Sequence, residues 1–491
     1  MASAWCWSCL SRLRPTPQAV LPPSSAIPRG TSAFHSSAIQ YAPPLKKKSN
    51  SMTQLKYRQG QTLRRKKKKT VEKARPPAPG ERKALRKRIV LSNPNALEVE
   101  GMQEISAENI VDARLRGSVL GLPVPMLDQL RAVQAFKPKQ GWSIFRRPGA
   151  VVRRDTVEMG RLFEKISGEG DAPEKGKVVK KVVTGMKGSG KTVHLLQAMS
   201  MAFLKKWVVV TVPEARELVS GDTAYVPVEG SKPTQYIQPG ATSALLMRTV
   251  EANREVLSSL KVSQKHEIAG LKPTSSLEDL AKLGFQDPAV AWPVFKALWT
   301  ELTATAAAPG MEKDFQPRPP MLVAVDGLAH WMQNSAYRDV DFNLIHAHDL
   351  IFVKHFLSLL RNGQAELKNG GMLLYATSTS NNPGVYALEV ALPPPSTPQP
   401  RPTATLTPRV LDLFKPIEGK EPQMELQTLG GLTRDETRGY LEYFARSGLL
   451  REPINEQWVG EKWSLSGGGI IGELEKLGRH VRSAAIPTPT A

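Results

Sequence analysis

The chain has 491 residues, with 67 Lys and Arg against 45 Asp and Glu for a formal net charge of +22, and only two cysteines, Cys6 and Cys9. That length can bury a sizeable core and calls for more than one domain. Two cysteines at the extreme N-terminus exclude a disulfide framework in the body and fit a reducing compartment, and without a second pair Cys6-Trp7-Ser8-Cys9 reads as neither a zinc nor a redox site.

The charge is uneven. Residues 1–90 hold 21 Lys and Arg against only Glu72 and Glu81, so an almost neutral body follows a very basic arm. Residues 1–40 have the acid-poor, Arg- and Ser-containing composition of a mitochondrial presequence, with Arg12, Arg14 and Arg29, and cleavage is expected near residues 31–40. Residues 41–90 carry Lys46-Lys47-Lys48, Arg64 to Lys69 and Arg86-Lys87-Arg88. Such runs repel themselves and lack apolar residues to bury, which predicts a disordered arm able to bind RNA through its phosphates. A nuclear address or a solvated tail is the alternative. No apolar run of about 18 residues occurs, so no membrane-spanning helix is expected.

Residues 91–150 read as an extension packing on the body. Glu104 to Leu120 has helical periodicity, and Gly121 to Pro125 breaks it; Leu127 to Phe136 predicts a second short helix. Trp142, Phe145 and Arg146-Arg147 form an aromatic-basic patch suited to packing or to base stacking.

Within a body expected over 151–430, Gly185-Met186-Lys187-Gly188-Ser189-Gly190-Lys191-Thr192 fits the phosphate-loop pattern G-x-x-x-x-G-K-S/T. Glycines let successive backbone N–H groups converge on one anion, and a following helix adds its positive end. Lys180 to Thr184 reads as the strand entering the loop and Val193 to Met199 as the helix leaving it. The loop predicts a nucleotide site formed by Gly185, Gly188, Ser189, Gly190, Lys191, Thr192 and Val193, with Lys191 on the β/γ-phosphates and Thr192 on Mg²⁺. A Gly-rich turn with an incidental lysine is the alternative.

Downstream, Trp207 to Val212 predicts a buried strand, residues 222–240 a loop, Thr242 to Leu260 a helix, and Leu277 to Leu283 and Ala289 to Leu302 two more. Trp292, Phe295 and Trp299 read as core. Met321 to Asp326 is an apolar strand ending in a carboxylate, which places Asp326 beside Thr192 as a second Mg²⁺ ligand. A helix from Ala347 to Leu360 and a strand from Met372 to Thr377 come next, and Ser378, Thr379, Ser380 and Asn381 stand where a γ-phosphate sensor could lie. His346, His348 and His355 lack a partner in register for a metal set, and no G-x-S-x-G supports a hydrolytic triad. Residues 391–409 hold seven prolines, an extended excursion. Glu425 to Gln427 predicts a last strand, and residues 431–491 a C-terminal helical, lid-like unit opening on Thr433 with Glu436 as its capping-box partner.

The order of these elements, with Tyr236-Ile237-Gln238-Pro239 and the ending Gly439 to Leu450, resembles the mitochondrial small-subunit ribosomal proteins of the death-associated protein three family. The resemblance covers residues 100–480. It implies an α/β P-loop fold of AAA+ or STAND type with a parallel sheet, bound GTP or GDP with Mg²⁺, and a place in the head of the mitochondrial small ribosomal subunit in the matrix. Expected partners are the small-subunit rRNA, neighbouring ribosomal proteins and the large subunit across the inter-subunit bridges, with no free homo-oligomer. Lys191, Thr192 and Asp326 carry over by motif position.

Two absences qualify this. The chain has no N-K-x-D or D-x-x-G, so guanine reading has no visible carrier and ATP stays open. Gly327 follows Asp326 where an active AAA+ enzyme places a Glu to orient water, which predicts slow or absent hydrolysis and no catalytic residue. A free-standing mitochondrial AAA+ or STAND ATPase, acting as remodeller or sensor, is the competing function; an RNA-dependent NTPase is a third.

Overall fold

The computed structural model describes residues 89–169, 174–272, 274–311, 315–361, 367–378, 408–414, 424–450 and 452–480. The presequence, the basic arm through residue 88, the proline excursion through residue 407 and Thr379 to Asn381 lie outside them. The chain divides into two units, residues 1–75 and 76–491, and every described residue belongs to the second.

Five strands make one parallel sheet: β1 (Val178–Gly185), β2 (Val208–Val212), β3 (Met321–Asp326), β4 (Gly371–Ala376) and β5 (Met424–Leu429), in spatial order β5-β1-β4-β3-β2. The central strands read as near-continuous apolar runs because both faces are covered. Val208, Val210, Val212, Val323, Val325, Leu373 and Tyr375 point into one core, and Val209, Leu322, Ala324, Met372, Leu374 and Ala376 into the other. That strict alternation is the period-2 signature of strands sandwiched between two helical layers.

The helices are α1 (Val124–Ala132), α2 (Arg154–Ser167), α3 (Lys191–Leu204), α4 (Pro239–Ala252), α5 (Arg254–Ser259), α6 (Leu277–Gln286), α7 (Ala291–Thr303), α8 (Ile351–Leu360), α9 (Pro408–Phe414), α10 (Arg434–Arg446), α11 (Glu456–Leu465) and α12 (Ile471–His480). The first core takes α4 to α9, and the second takes α1, α2 and α3. A third cluster joins Val119, Phe145 and Val151 of the N-terminal extension to Leu432, Tyr440, Tyr443, Phe444 and Leu474 of the C-terminal helices. No helix among the described residues is long and apolar enough to cross a membrane.

Three expectations are corrected. Glu104 to Leu120 is not a helix: it holds a 3-10 turn, Ala113–Leu115, then a strand, Val119–Gly121, paired antiparallel with Gly149–Val151. Local side-chain bonds win there, Ser106 Oγ accepting the Asn109 amide at 3.1 Å and Asp112 Oδ1 the Arg114 amide at 2.9 Å, and Gly117 (φ 84°) turns the chain. The Thr242 to Leu260 helix breaks at Asn253. Its amide accepts from the Val209 N–H and donates to the Val209 carbonyl, both at 2.8 Å, so one side chain covers the edge of β2 as a neighbouring strand would. Residues 222–240 contain a short hairpin, Val226–Val228 with Gln235–Ile237.

The aromatic-basic patch is packing. Trp142 is buried edge-on to Phe136 at 5.1 Å, and Phe145 lies 4.6 Å from Tyr443 and 4.9 Å from Phe444, so the extension clamps the C-terminal unit.

His355 on α8 sits in the first core, edge-on to Trp299 at 4.6 Å and Phe295 at 5.1 Å, its Nε2 buried without a hydrogen-bond partner. Burial pushes its pKa down to about 4, and Lys296 acts in the same direction. The folded chain therefore resists a proton that the unfolded chain accepts below pH 6.5. Its stabilising effect is complete above that pH and is lost as pH falls towards 4. His355→Phe is expected to remove about 2–3 kcal/mol of the destabilisation between pH 7 and pH 4. Urea unfolding at the two pH values checks it, and unchanged acid sensitivity would refute it.

Candidate functional site at the sheet edge

β1 ends on Gly185, the loop turns through Gly188 and Gly190, and α3 begins at Lys191. All three loop glycines have positive φ, and two show why the backbone requires them. Gly185 has φ 147°, and a Cβ there would lie 2.4 Å from the Leu429 carbonyl oxygen of β5; Gly190 caps α3 in the left-handed region at φ 97°. The first amides of α3 have no acceptor within the helix, so the loop presents donors and a positive helix end at one point. Ser189 is fully buried and its Oγ has no hydrogen-bond partner. Lys191 Nζ donates to the Gly185 and Met186 carbonyls at 2.7 and 2.9 Å, within the loop; burial lowers its pKa, and Asp326 opposes that. Val193 packs from the first turn of α3 against the second core.

Asp326 ends β3, one strand removed from β1, and its Oδ2 accepts the Thr192 hydroxyl at 2.8 Å. The two residues named as a cation pair, 134 positions apart in sequence, are thus in direct contact. Burial raises the Asp326 pKa, with Thr192, Lys137 and Lys191 lowering it and Glu214 raising it further. Gly327 follows in a left-handed turn at φ 95° and donates its N–H to Ala376 at 2.8 Å. Of the sensor candidates only Ser378 falls within the described residues. A hydroxyl beside a carboxylate is the oxygen donor set a hard divalent cation takes. An orphaned serine hydroxyl in a glycine cradle fits phosphate oxygens.

Several participants give no sequence signal. Arg153, 5% exposed, donates from Nη1 to the Ser189 carbonyl at 2.7 Å and from Nη2 to Gly430 at 2.8 Å, bracing the loop against the end of β5. Lys137 comes from the N-terminal extension, donating to the Pro213 carbonyl at 2.5 Å with Glu214 at 3.7 Å, beyond β2. Glu436 does more than cap α10: besides the Thr433 amide it accepts from Arg154 N at 3.0 Å and Arg116 Nη2 at 3.1 Å. The start of α12 closes on the loop, Gly472 N–H donating to the Gly188 carbonyl at 3.0 Å. The distances between chain positions explain the silence, since these pairs are read from the fold and not from spacing.

A parallel sheet with helices on both faces, and a glycine loop beside an Asp-terminated strand, define an α/β protein whose candidate site lies at the carboxyl ends of its strands. Residues 150–477 match the family of the mitochondrial ribosomal death-associated protein 3, and the chain belongs to that family. It is also 39% identical over 416 residues to the small ribosomal subunit protein mS29 of Neurospora crassa, covering 84% of this chain and 85% of that protein. The resemblance seen in the motifs is thereby established, and with it a mitochondrial location.

Proposed function

We propose that the protein is a structural constituent of the mitochondrial small ribosomal subunit and holds a purine nucleotide with Mg²⁺ in the Gly185–Thr192 loop. The 39% identity to a small ribosomal subunit protein over 84% of the chain, with the match to a mitochondrial ribosomal family, carries the first half. The Thr192–Asp326 contact beside the glycine cradle carries the second. This reading gives the sheet a P-loop fold. Lys191 and the opening amides of α3 bind the phosphates, Ser189 offers its spare hydroxyl, and Thr192 with Asp326 holds the cation. Mg²⁺, when bound, neutralises charge on the β/γ-phosphates. GTP or GDP follows from the family resemblance.

Hydrolysis is slow or absent on this reading. Gly327 lies in a conformation that penalises a side chain, so no carboxylate follows Asp326 to orient water. The nucleotide then acts as a structural ligand, tying β1, β3 and the base of α12 together through Gly188 and Gly472. rRNA and adjoining ribosomal proteins are the partners, with the basic arm following RNA phosphates.

Sedimentation tests the assembly. In mitochondrial lysate at high salt the chain should co-migrate with the small ribosomal subunit, whereas a free hexamer or monomer would favour a free-standing ATPase.

A further inference from the structure

Beyond β3 the chain builds a second hairpin, Asn334–Arg338 with Leu344–His346. Its base is fixed: Tyr337 is buried, Tyr225 packs 4.7 Å from it, and the Tyr225 hydroxyl donates to the Arg338 carbonyl at 2.5 Å. Its tip carries exposed apolar side chains among polar ones. Val340 is 95% exposed, Phe342 76% and Leu344 48%.

The tip is also rigidly held. Asp339 Oδ1 accepts the Asp341 and Asn343 amides at 2.9 and 2.8 Å, the Asp339 amide donates to Asn343 at 3.0 Å, and Arg338 Nη1 donates to the Phe342 carbonyl at 2.6 Å. This framework keeps Phe342 at φ 63°, a left-handed conformation that a bulky residue rarely adopts. A free chain gains nothing from an aromatic ring held in water at an unfavourable backbone angle, and glycine would serve the turn better.

We infer that Val340 and Phe342 form a docking knob for a neighbouring protein whose surface offers an apolar pocket with a basic rim. The charges select a protein over RNA. Asp339 precedes the apolar pair with its carboxylate folded onto the Asp341 and Asn343 amides, Asp341 stands exposed between them, and the one cation of the tip, Arg338, is exposed and engaged with the Phe342 carbonyl. Two carboxylates against one arginine leave the tip net acidic, which repels phosphates and suits a partner with lysine or arginine around its pocket. Phe342 provides the anchor, since an exposed aromatic entering a desolvated pocket dominates such contacts.

The inference rests on the chain being in the ribosome, and the test separates the two. A benzophenone amino acid replaces Phe342 in the full chain, which is expressed in mitochondria and followed into the sedimented small subunit and the whole ribosome. In particles that contain the chain, the expected product on illumination is one covalent adduct to a protein. An adduct to rRNA, or none in those particles, overturns the knob; failure of the chain to enter the particles overturns the ribosomal reading instead. Phe342→Gly gives the second arm. Retention of the chain in salt-washed particles should fall about 10-fold, the loss expected for a buried aromatic anchor. The melting temperature of the free protein should be unchanged or higher, because the strained φ is relieved. Full retention, or a lower melting temperature, would show that Phe342 serves the fold and not a partner.

Discussion

Lys191→Ala should lower the affinity of the purified protein for GTP or GDP with Mg²⁺ by about 100-fold or more, the loss expected when a charged partner leaves a phosphate in a partly buried site. The ammonium is already inside the loop, on the Gly185 and Met186 carbonyls at 2.7 and 2.9 Å, and burial lowers its pKa, so the charge is held at a desolvation cost. Such a charge is useful where an anion approaches. Lys191→Arg should fail nearly as badly, because a planar guanidinium does not fit where a single ammonium is held between two carbonyls. Calorimetric titration and the nucleotide-dependent shift in melting temperature read the effect; wild-type protein at about 100 times Kd should gain about 2.7 kcal/mol and the variant almost none. Equal affinities would remove the loop from nucleotide binding.

Glu301→Ala should cost the fold about 3–5 kcal/mol. Glu301, on α7, and Arg318 have fully buried side chains, joined at 2.8 Å. Glu301 also accepts from the Ser263 and Gln264 amides, the Ser263 hydroxyl at 2.7 Å and His266 Nε2 at 2.9 Å, while Arg318 reaches the Lys261 carbonyl at 2.6 Å. One carboxylate therefore organises the connection from α5 to α6 and the approach to β3. Its removal strands a guanidinium in the core. Glu301→Gln keeps part of the acceptor set and should lose less. Urea unfolding measures both, and a change below about 1 kcal/mol for the alanine variant would contradict the assignment.

Those two sites differ in how legible they are. Gly185–Thr192 and Asp326 were legible because each carries a local pattern: glycines at fixed spacing before a helix, and an apolar run ending in a carboxylate. Their contact at 2.8 Å follows once both strands join one parallel sheet. The strands themselves were legible for the same reason, since Val208 to Val212 and Met321 to Val325 must be apolar on both faces. The Glu301–Arg318 pair, Arg153 on the loop and Lys137 beyond β2 were not legible. Each depends on a side chain reaching a segment remote in sequence, and nothing in local composition marks a buried arginine from an exposed one. Helical periodicity misled over Glu104 to Leu120, where side-chain bonds to the backbone and Gly117 decide the conformation. It missed the break at Asn253 because the reason lies on β2.

Membership of the small ribosomal subunit and a structural nucleotide in the loop meet in one measurement. It is the nucleotide content of salt-washed mitochondrial small subunits, read by mass spectrometry for wild type and Lys191→Ala. About one purine nucleotide per copy of this chain should survive in the wild type, beyond any held elsewhere in the particle, and be missing from the variant. Equal nucleotide content in the two particles would contradict it.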